Sequence, residues 1–336
     1  MQSDANVSFD VFRGVNGKIT ADHVTKSLGD NEVFIETTHS GLCGTDLHYL
    51  HSGKVLGHEG VGIVRKLGPG VTSVKVGDRV GFGYTRKVCG KCKHCLSGWD
   101  QFCENVVDFE NQADADIGSL SNGVVWDADA VVPVPDGYDS ANAAPLLCAG
   151  ATVWTVLTEY GIKATDRVGV LGIGGLGHLA IKLGAALGCH VVVLSSSESK
   201  REEAFEFGAK EYFVLKSGEQ PEGLKPLDHL LVCGSASSTD YTFLVGLMEV
   251  HGSIYPLTVS SDRVPVRLHD AVLRGVRIQG SLTSSRRSLR GLFQFAAERN
   301  IHPMLQRFPM SIDGIETAAR ILNSGKMRYR GVLCWK

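Results

Sequence analysis

Residues 168–188 read VGVLGIGGLGHLAIKLGAALG and carry a G-x-G-x-x-G turn at Gly172, Gly174 and Gly177. The turn follows an apolar, valine-rich run and opens a helical pattern. Its glycines would allow backbone N–H groups to reach a pyrophosphate at the helix N-terminus. This context predicts a dinucleotide site whose residues are Gly172, Gly174, Gly175, Leu176 and Gly177. The alternative is a glycine-rich turn of purely structural use.

Strands and helices alternate on both sides of this turn. The predicted strands are 167–171, 190–194, 212–215, 229–232 and 276–280, and the predicted helices are 176–187 and 199–207. Strands of Val, Ile and Leu that alternate with helices at this spacing are typical of a doubly wound parallel sheet. We therefore assign residues 141–284 to a cofactor-binding α/β domain.

The residues before this region have a different sequence pattern. Short β-branched runs separated by Gly and Pro predict an antiparallel β domain. These runs are 33–38, 61–67, 76–80 and 130–134. Near the end of the chain, the predicted elements are helices at 288–300 and 310–325 and a strand at 329–334. Because they do not continue the alternation, we assign them to the β domain, which then comprises residues 1–140 and 285–336.

The chain has 336 residues, of which 43% are hydrophobic and 21% charged, with a formal net charge of -2. This composition is that of an ordinary globular protein and gives no attraction to nucleic acid or an anionic membrane. The first residues contain no apolar stretch of signal-peptide length. The uncharged run 140–158 contains Asn142, Pro145 and Gly150, which argue against a membrane span. We expect a cytoplasmic protein without nucleic-acid or membrane partners.

Nine cysteines, an odd number, predict reduced thiols with a metal-binding subset. One group has C-x2-C-x2-C-x7-C spacing and consists of Cys89, Cys92, Cys95 and Cys103. Four thiolates at this spacing can surround one zinc ion tetrahedrally and leave no position open, as in structural zinc sites. Unligated cysteines and an iron–sulfur cluster, which uses the same ligand type, are the alternatives.

A second set of ligand types lies in the segments GLCGTDLH, GHE and PLLCAG. Cys43, His58 and Cys148 would form a Cys2His set, the kind that leaves a fourth position open for water or substrate. Each of these residues taken alone, in a glycine-rich turn, is more often structural than a metal ligand.

The end of the second predicted strand bears on the choice of cofactor. An NAD-binding sheet usually has an acidic residue there, which binds the ribose 2′-OH. This chain instead has Ser195, followed by Ser196, Ser197, Lys200 and Arg201. Hydroxyls and cations suit a 2′-phosphate, so the segment predicts NADP(H). A solvated helix start is the alternative.

Several motifs, taken in order, resemble those of zinc-dependent medium-chain alcohol dehydrogenases, in particular the cinnamyl-alcohol-dehydrogenase-like branch. They are GLCGTDLH, GHEGVG, VGDRV, the four-cysteine segment, PLLCAGATVW, GIGGLG and SSSESKREEA, which together span most of the chain. The resemblance implies a GroES-like antiparallel β catalytic domain and a Rossmann cofactor domain. It also implies hydride transfer between NADPH and an aldehyde or ketone, a catalytic and a structural zinc ion in each chain, and a homodimer paired through residues 276–282.

The same resemblance implies metal-binding roles. Cys43, His58 and Cys148 would bind the catalytic zinc ion. Glu59 would be an alternative ligand, and Asp46 would orient the zinc-bound histidine.

The resemblance also implies roles in proton transfer and cofactor contact. Thr45 would lie beside the substrate oxygen, and His48 would occupy the outer position of a proton relay. Thr152 would pack against the nicotinamide.

Two departures from the family concern the substrate cleft. Only 14 residues separate Cys43 from His58, and residues 108–126 are shortened as well. The missing wall predicts a cleft that is open to bulky carbonyl substrates. Three alternatives stay open: a reductase of an iminium or activated C=C bond, a polyol dehydrogenase, and a non-catalytic NADPH-binding homologue. The relay residues Thr45 and His48 argue against the last of these.

Overall fold

The computed structural model describes residues 6–111, 113–216, 218–234, 239–259 and 263–335. The chain forms two compact units, Met1–Ala151 with Ser284–Lys336, and Thr152–Thr283. The chain therefore leaves the first unit once and returns to it near the end. The predicted domain boundary after residue 140 lies before the point at which the second unit begins.

Strands make up most of the regular structure of the first unit, and strands alternate with helices in the second. The strands are β1 Asn6–Val15, β2 Lys18–Ser27, β3 Glu32–Leu42, β4 Gly60–Leu67, β5 Arg79–Phe82, β6 Thr85–Lys87, β7 Val107–Asp108, β8 Gly123–Asp127, β9 Val132–Pro133, β10 Arg167–Leu171, β11 His190–Ser195, β12 Glu211–Val214, β13 Leu227–Val232, β14 Met248–Pro256, β15 Arg277–Ile278, β16 Leu305–Pro309 and β17 Arg330–Cys334. The α-helices are α1 Gly44–His48, α2 Lys93–Leu96, α3 Ser140–Ala143, α4 Ala149–Glu159, α5 Gly177–Ala186, α6 Arg201–Glu206, α7 Tyr241–Gly246, α8 Leu268–Arg274, α9 Arg286–Glu298 and α10 Ile312–Asn323. Short 3-10 helices cover Asp100–Phe102, Ala128–Ala130 and Ala144–Leu147.

The second unit is built on a parallel sheet with the strand order β12-β11-β10-β13-β14-β15. Its central strands are nearly continuous apolar runs, such as the buried VVVL of residues 191–194 in β11, because side chains on both faces are covered. β11 lies on one side of β10 and β13 on the other, so the direction in which strands are added reverses at β10. In such sheets, ligands bind in the crevice at the carboxyl ends of the strands where the order reverses. The predicted doubly wound parallel sheet is confirmed.

The first unit contains a sheet in which β16-β17-β3-β4-β5-β9 follow one another and β8 pairs with β3. The pairs are antiparallel except for β16 with β17. The strands share a buried apolar cluster that includes Val33, Ile35, Val64, Val80 and Phe82. The predicted antiparallel β architecture is therefore confirmed.

A hairpin precedes this sheet, and the sequence analysis did not predict it. β1 and β2 pair without a bulge from Asn6 opposite Ser27 to Val15 opposite Lys18. The turn between them is Asn16–Gly17, in which both residues have positive φ. An Asn-Gly pair between two strand-like runs is a strong hairpin signal. The signal was therefore present in the sequence but was not used.

Three strands were predicted with the wrong extent, and one of them, 276–280, is reduced to Arg277–Ile278. At 76–80, Val76 lies in a turn and is 56% exposed, so that β5 begins only after it. The Asp78 carboxylate accepts a hydrogen bond from the Lys75 N–H at 2.9 Å, which stabilises this turn. At 130–134, only Val132–Pro133 form a strand, because the chain before it forms a 3-10 helix.

Among the described residues, no single helix is long and apolar enough to cross a membrane. One bent pair of helical segments, Ser140–Leu147 and Ala149–Glu159, has the length and composition to do so. Most residues of this pair are buried in the protein, as in core helices of globular proteins.

We predict that Gly177→Ala destabilises the protein while Gly174→Ala does not. A Cβ atom on Gly177 would lie 1.9 Å from the Gly172 carbonyl oxygen, whereas one on Gly174 would meet nothing within 4 Å. Overpacking of this kind costs about 1–3 kcal/mol. Urea denaturation of both variants without added cofactor measures the difference. Equal free energies of unfolding for the two variants would contradict the prediction.

Candidate metal centres and cofactor site

Four side chains of ligand type meet next to the end of β3. One ligand atom each from Cys43, His58, Glu59 and Cys148 lies within 4.8 Å of all the others. Cys43 follows β3 and is the N-cap of α1, while His58 and Glu59 directly precede β4. The pairing of β3 with β4 brings these two parts of the chain together. Cys148 arrives from far along the chain, and its Sγ lies 3.9 Å from that of Cys43.

Asp46 organises this cluster from the first turn of α1. One carboxylate oxygen accepts the Cys43 N–H at 2.9 Å, and the other accepts the Gly57 N–H at 2.9 Å. The second oxygen also lies 3.1 Å from Nδ1 of His58. Burial lowers the pKa of His58, but the Asp46 carboxylate and the Cys43 sulfur together outweigh this effect and hold that pKa well above its ordinary value. Asp46 thus fixes the orientation of the imidazole.

Glu59 is fully buried and forms an ion pair with Arg330 of β17. Burial raises the pKa of Glu59 to about 7, although the positive charge of Arg330 acts against this shift. The carboxylate oxygen Oε2 has no hydrogen-bond partner. A buried polar atom without a partner is costly, so this oxygen is available to a ligand.

The donor set of the cluster fits a zinc ion. Nε2 of His58 is buried and has no hydrogen-bond partner, while Nδ1 is held by Asp46. Two thiols, an imidazole nitrogen and a carboxylate oxygen are all ligand types that zinc takes in proteins.

The four-cysteine segment also converges. The Sγ atoms of Cys89, Cys92, Cys95 and Cys103 all lie within 4.8 Å of one another. Backbone N–H groups point at the sulfurs: that of Cys92 lies 3.3 Å from Sγ of Cys89, and that of Asn105 lies 3.3 Å from Sγ of Cys103. The N–H groups of Lys91 and Cys92 lower the pKa of Cys89 to about 6. Such donors stabilise thiolates, the form that binds a metal.

The glycine turn after β10 has the geometry that the motif predicts. Gly172 has a φ of 90°, which favours glycine, and its N–H donates to the Leu194 carbonyl at 2.8 Å. Gly174, Gly175 and Leu176 follow, and α5 begins at Gly177. A cavity of about 410 Å³ opens beside this turn. Its walls include Leu171, Gly172, Ser195, Ser196, Leu215, Lys216, Gly234, Thr239, Asp240 and Phe243.

Of the five predicted 2′-phosphate residues, the structure places two at the cavity and three away from it. Ser195 and Ser196 line the cavity, but Ser197, Lys200 and Arg201 are not among its lining residues. Nζ of Lys200 donates to the Ile173 carbonyl at 2.6 Å, inside the glycine turn. Arg201 pairs with Glu198 and lies over the ring of Tyr212.

The predicted relay residues follow Cys43 in α1. The hydroxyl oxygen of Thr45 lies 3.8 Å from Sγ of Cys43, and His48 is exposed at the last position of the helix. Thr152 is buried in α4 and belongs to the second compact unit.

Sequence reasoning missed residues around both sites. The ring of Phe109 lies 4.8 Å from that of His58, with Tyr49 edge-on to Phe109 at 5.2 Å. The ring of Tyr84 lies 6.2 Å from His58, and burial raises the pKa of Tyr84 well above its usual range. Lys216 is a cation on the wall of the cavity beside the glycine turn. Tyr49 directly follows α1, which begins after Cys43, and this closeness in sequence to a candidate ligand was a usable signal. Tyr84, Phe109 and Lys216 had no such signal in the sequence.

Comparisons with known proteins agree with this architecture. Residues 29–136 match the family described as alcohol dehydrogenase GroES-like domain, and residues 175–298 match the family described as zinc-binding dehydrogenase. A probable cinnamyl alcohol dehydrogenase of Arabidopsis thaliana is 32% identical over 96% of this chain and 92% of its own length. The chain belongs to the zinc-binding alcohol dehydrogenase family. The expected GroES-like and Rossmann folds are thereby confirmed for this alcohol dehydrogenase.

Solved structures place the dehydrogenase more closely within its family. It is similar to a cinnamyl alcohol dehydrogenase of Sorghum bicolor, with 30% identity, 98% of both chains covered and a TM-score of 0.91. It is also similar to a cinnamyl alcohol dehydrogenase of Helicobacter pylori solved with NADP(H), with 26% identity, 98% of both chains covered and a TM-score of 0.88. The resemblance to the cinnamyl-alcohol-dehydrogenase-like branch is confirmed, and the protein is an oxidoreductase of the alcohol dehydrogenase class.

Proposed function

We propose that this alcohol dehydrogenase depends on zinc and on NADP(H), and that it transfers hydride between NADPH and an aldehyde or ketone. One observation carries the proposal. His58 has a buried Nε2 without a hydrogen-bond partner, and it belongs to a set of two thiols, an imidazole and a carboxylate whose ligand atoms lie within 4.8 Å of one another. A structural role for these residues would leave the buried nitrogen unsatisfied.

The residues around this set have distinct tasks. A zinc ion held by Cys43, His58 and Cys148, with Glu59 as an alternative ligand, would supply Lewis-acid polarisation of a carbonyl oxygen, and NADPH would supply the hydride. Asp46 keeps Nδ1 of His58 engaged, which leaves Nε2 as the ligand atom. 

The proposal places two residues of α1, Thr45 and His48, at the inner and outer ends of a proton relay. The Thr45 hydroxyl, next to Cys43, exchanges a proton with the substrate oxygen. His48, exposed at the helix end, passes that proton to water.

The cavity beside the glycine turn is the proposed site of the adenosine half of NADP(H). Ser195 and Ser196 offer hydroxyls to the 2′-phosphate, and Lys216 on the same wall offers positive charge. Asp240 also lines the cavity, but its Oδ1 accepts the N–H groups of Thr242 and Phe243 at the start of α7. The turn residues Gly172, Gly174, Gly175, Leu176 and Gly177 would bind the pyrophosphate, with Lys200 holding the turn and Thr152 at the nicotinamide. Ser197 would support Ser195, toward whose hydroxyl its N–H points at 3.5 Å.

The proposal assigns residues 1–140 and 285–336 to the catalytic zinc-binding domain and residues 141–284 to the NADP-binding domain.

The proposal also includes a homodimer. β15 is one of the two edge strands of the parallel sheet. Exposed apolar side chains lie close to it in sequence: Leu268, Val272 and Leu273 of α8 are about 70% exposed or more. A second copy that pairs with this edge would cover both features.

The two clusters predict two zinc ions per chain. Cys103→Ser should remove one ion and lower the Tm, because structural zinc contributes directly to folding. Cys148→Ser should instead abolish activity with little change in Tm. Cys334→Ser, a cysteine outside both clusters, is the matched control. Metal analysis, calorimetry and activity assays measure these effects. A folded, active preparation with fewer than two zinc ions per chain would overturn the proposal.

Oxidation of NADPH in the presence of an aromatic aldehyde tests the reaction, with iminium ions and enals as rival substrates. Thr45→Ala should lower the single-turnover rate of aldehyde reduction by about a hundredfold, since general acid catalysis contributes on that order. Thr45→Ser, which keeps the hydroxyl, should retain most of the rate. His48→Ala should slow alcohol oxidation less, because water can replace an exposed imidazole. Equal rates for wild type and Thr45→Ala would remove Thr45 from the mechanism.

The wild-type enzyme should prefer NADPH over NADH by about a hundredfold or more in kcat/KM. The preference follows from two charge-assisted hydrogen bonds to the 2′-phosphate, each worth about 1.5–3 kcal/mol. Ser195→Asp should shift the preference toward NADH, and Lys216→Ala should weaken NADPH binding while sparing NADH. Arg201→Ala is the control, since Arg201 is paired with Glu198. A wild-type preference for NADH would refute the cofactor assignment.

A further inference from the structure

Two short segments, 49–55 and 113–116, pack against the hairpin β1–β2 in the first unit. The Gly53 N–H donates to the Gly14 carbonyl at 2.9 Å, and the Gly14 N–H donates to the Lys54 carbonyl at 3.2 Å. The Val55 N–H donates to the Ala115 carbonyl at 2.8 Å. Both segments are thus hydrogen-bonded in one layer with the hairpin: segment 49–55 contacts β1, and segment 113–116 contacts segment 49–55.

Arg13, near the end of β1, connects the three parts. Its Nε donates to Asp22 of β2 at 2.8 Å. Its Nη1 donates to the Gly53 carbonyl at 3.2 Å and to the Ala115 carbonyl at 3.0 Å, and its Nη2 pairs with Asp116. The side chain is only 13% exposed. A guanidinium presents five N–H donors in one rigid plane, so this single side chain can hold the hairpin and both segments in one arrangement.

A second cation reinforces the same contact. Nζ of Lys26 on β2 donates to Asp114 at 2.6 Å and lies 3.2 Å from Asp116. Both carboxylates of segment 113–116 are thus paired with cations of the hairpin. The side chains are partly buried, which limits screening by water and salt.

The other ends of these loops carry the aromatic rings at the metal cluster. Tyr49 begins the first segment, and its ring lies 5.2 Å edge-on to that of Phe109, which lies 4.8 Å from the ring of His58. Lys54 links the two loops again: its Nζ donates to the Glu110 carbonyl at 3.0 Å and lies 5.3 Å from the centre of the Tyr49 ring. A shift of the first segment would therefore move Tyr49, which packs against the Phe109 ring beside His58.

We propose that Arg13 is a positioning residue that sets the wall of the substrate cleft by clamping segments 49–55 and 113–116 to the hairpin. The inference rests on the proposed function, since the wall matters only if His58 lies at the reacting centre. The clamp fixes both segments through ion pairs and hydrogen bonds, and it keeps Tyr49 and Phe109 in place against an aromatic or other bulky carbonyl substrate. Arg13 acts through these rings and does not touch the substrate.

The test compares Arg13→Gln and Arg13→Lys with Arg65→Gln. Arg65 is the control because it also pairs with an acidic residue, Glu36, but is 51% exposed and lies on the sheet. Each variant is assayed with benzaldehyde, an aromatic aldehyde large enough to need a wall of aromatic rings, and with acetaldehyde, a small aldehyde. Hydrogen exchange of the peptide that contains residues 49–55 is measured in parallel.

Both Arg13 variants should raise the KM for benzaldehyde by about tenfold, equivalent to about 1.4 kcal/mol of lost binding. Their kcat and their KM for acetaldehyde should stay within about twofold of wild type, because uniform binding alone is lost. Exchange in the 49–55 peptide should accelerate, because the Val55 N–H loses its support. Arg13→Lys should not retain the wild-type KM, since a single ammonium cannot span the four partners of the guanidinium. Arg65→Gln should change neither readout. A purely structural role of Arg13 would lower Tm without changing the ratio of the two KM values.

An unchanged KM ratio in folded Arg13→Gln overturns the inference. If that variant does not fold, Asp116→Asn, which removes one partner of the clamp, should raise the same KM ratio to a smaller extent, and no change would again overturn it. A wild-type enzyme that reduces neither aldehyde with NADPH overturns the proposed function instead. The exchange measurement then decides on the clamp alone, and unaltered exchange in the 49–55 peptide refutes it.

Discussion

The carboxylate of Asp46 ties the start of α1 to the turn before β4. It has no exposed surface, and its two oxygens accept the N–H groups of Cys43 and Gly57 while one of them holds Nδ1 of His58. A buried charge persists only where hydrogen bonds replace its lost hydration. The backbone at both ligand-bearing turns must therefore approach Asp46, and the same contacts that satisfy this charge aim His58 at the two thiols.

A second buried charge completes the cluster from the far end of the chain. Arg330 of β17 pairs with Glu59, 271 positions away, and both side chains are nearly or fully buried. Arg330 can reach Glu59 because the chain returns to the first unit and β17 pairs with β3. The return of the chain thus has a direct electrostatic role at the site: without Arg330, the Glu59 carboxyl would be buried without its countercharge.

The segments 49–55 and 113–116 lie between the hairpin β1–β2 and the residues around the ligand cluster, and side chains of the hairpin bind both segments. Arg13 and Lys26 are on its strands, and the carbonyls and carboxylates that they bind are on the short segments. An Arg fork that binds several oxygens at once restricts a loop more than a single hydrogen bond does. The hairpin is therefore part of the site, although it contributes no ligand and no ring.

The sequence by itself determined the elements whose signal is local. The glycine turn after β10, the alternation of strands around it and the four-cysteine spacing each follow from residues close together in the chain, because strand periodicity, turn conformation and ligand spacing act over short distances. The Asn16–Gly17 hairpin was equally readable and was overlooked. Tertiary structure alone decided which cations line the cavity beside the glycine turn. Lys200 and Arg201 follow Ser195 in sequence, yet they bind the Ile173 carbonyl and Glu198. The cation on the cavity wall is Lys216, which follows β12. Tertiary structure also decided the Arg330–Glu59 pair, the Arg13 clamp and the rings beside His58. Those contacts join residues far apart along the chain, and their partners are set by sheet pairing and burial, which no local pattern encodes.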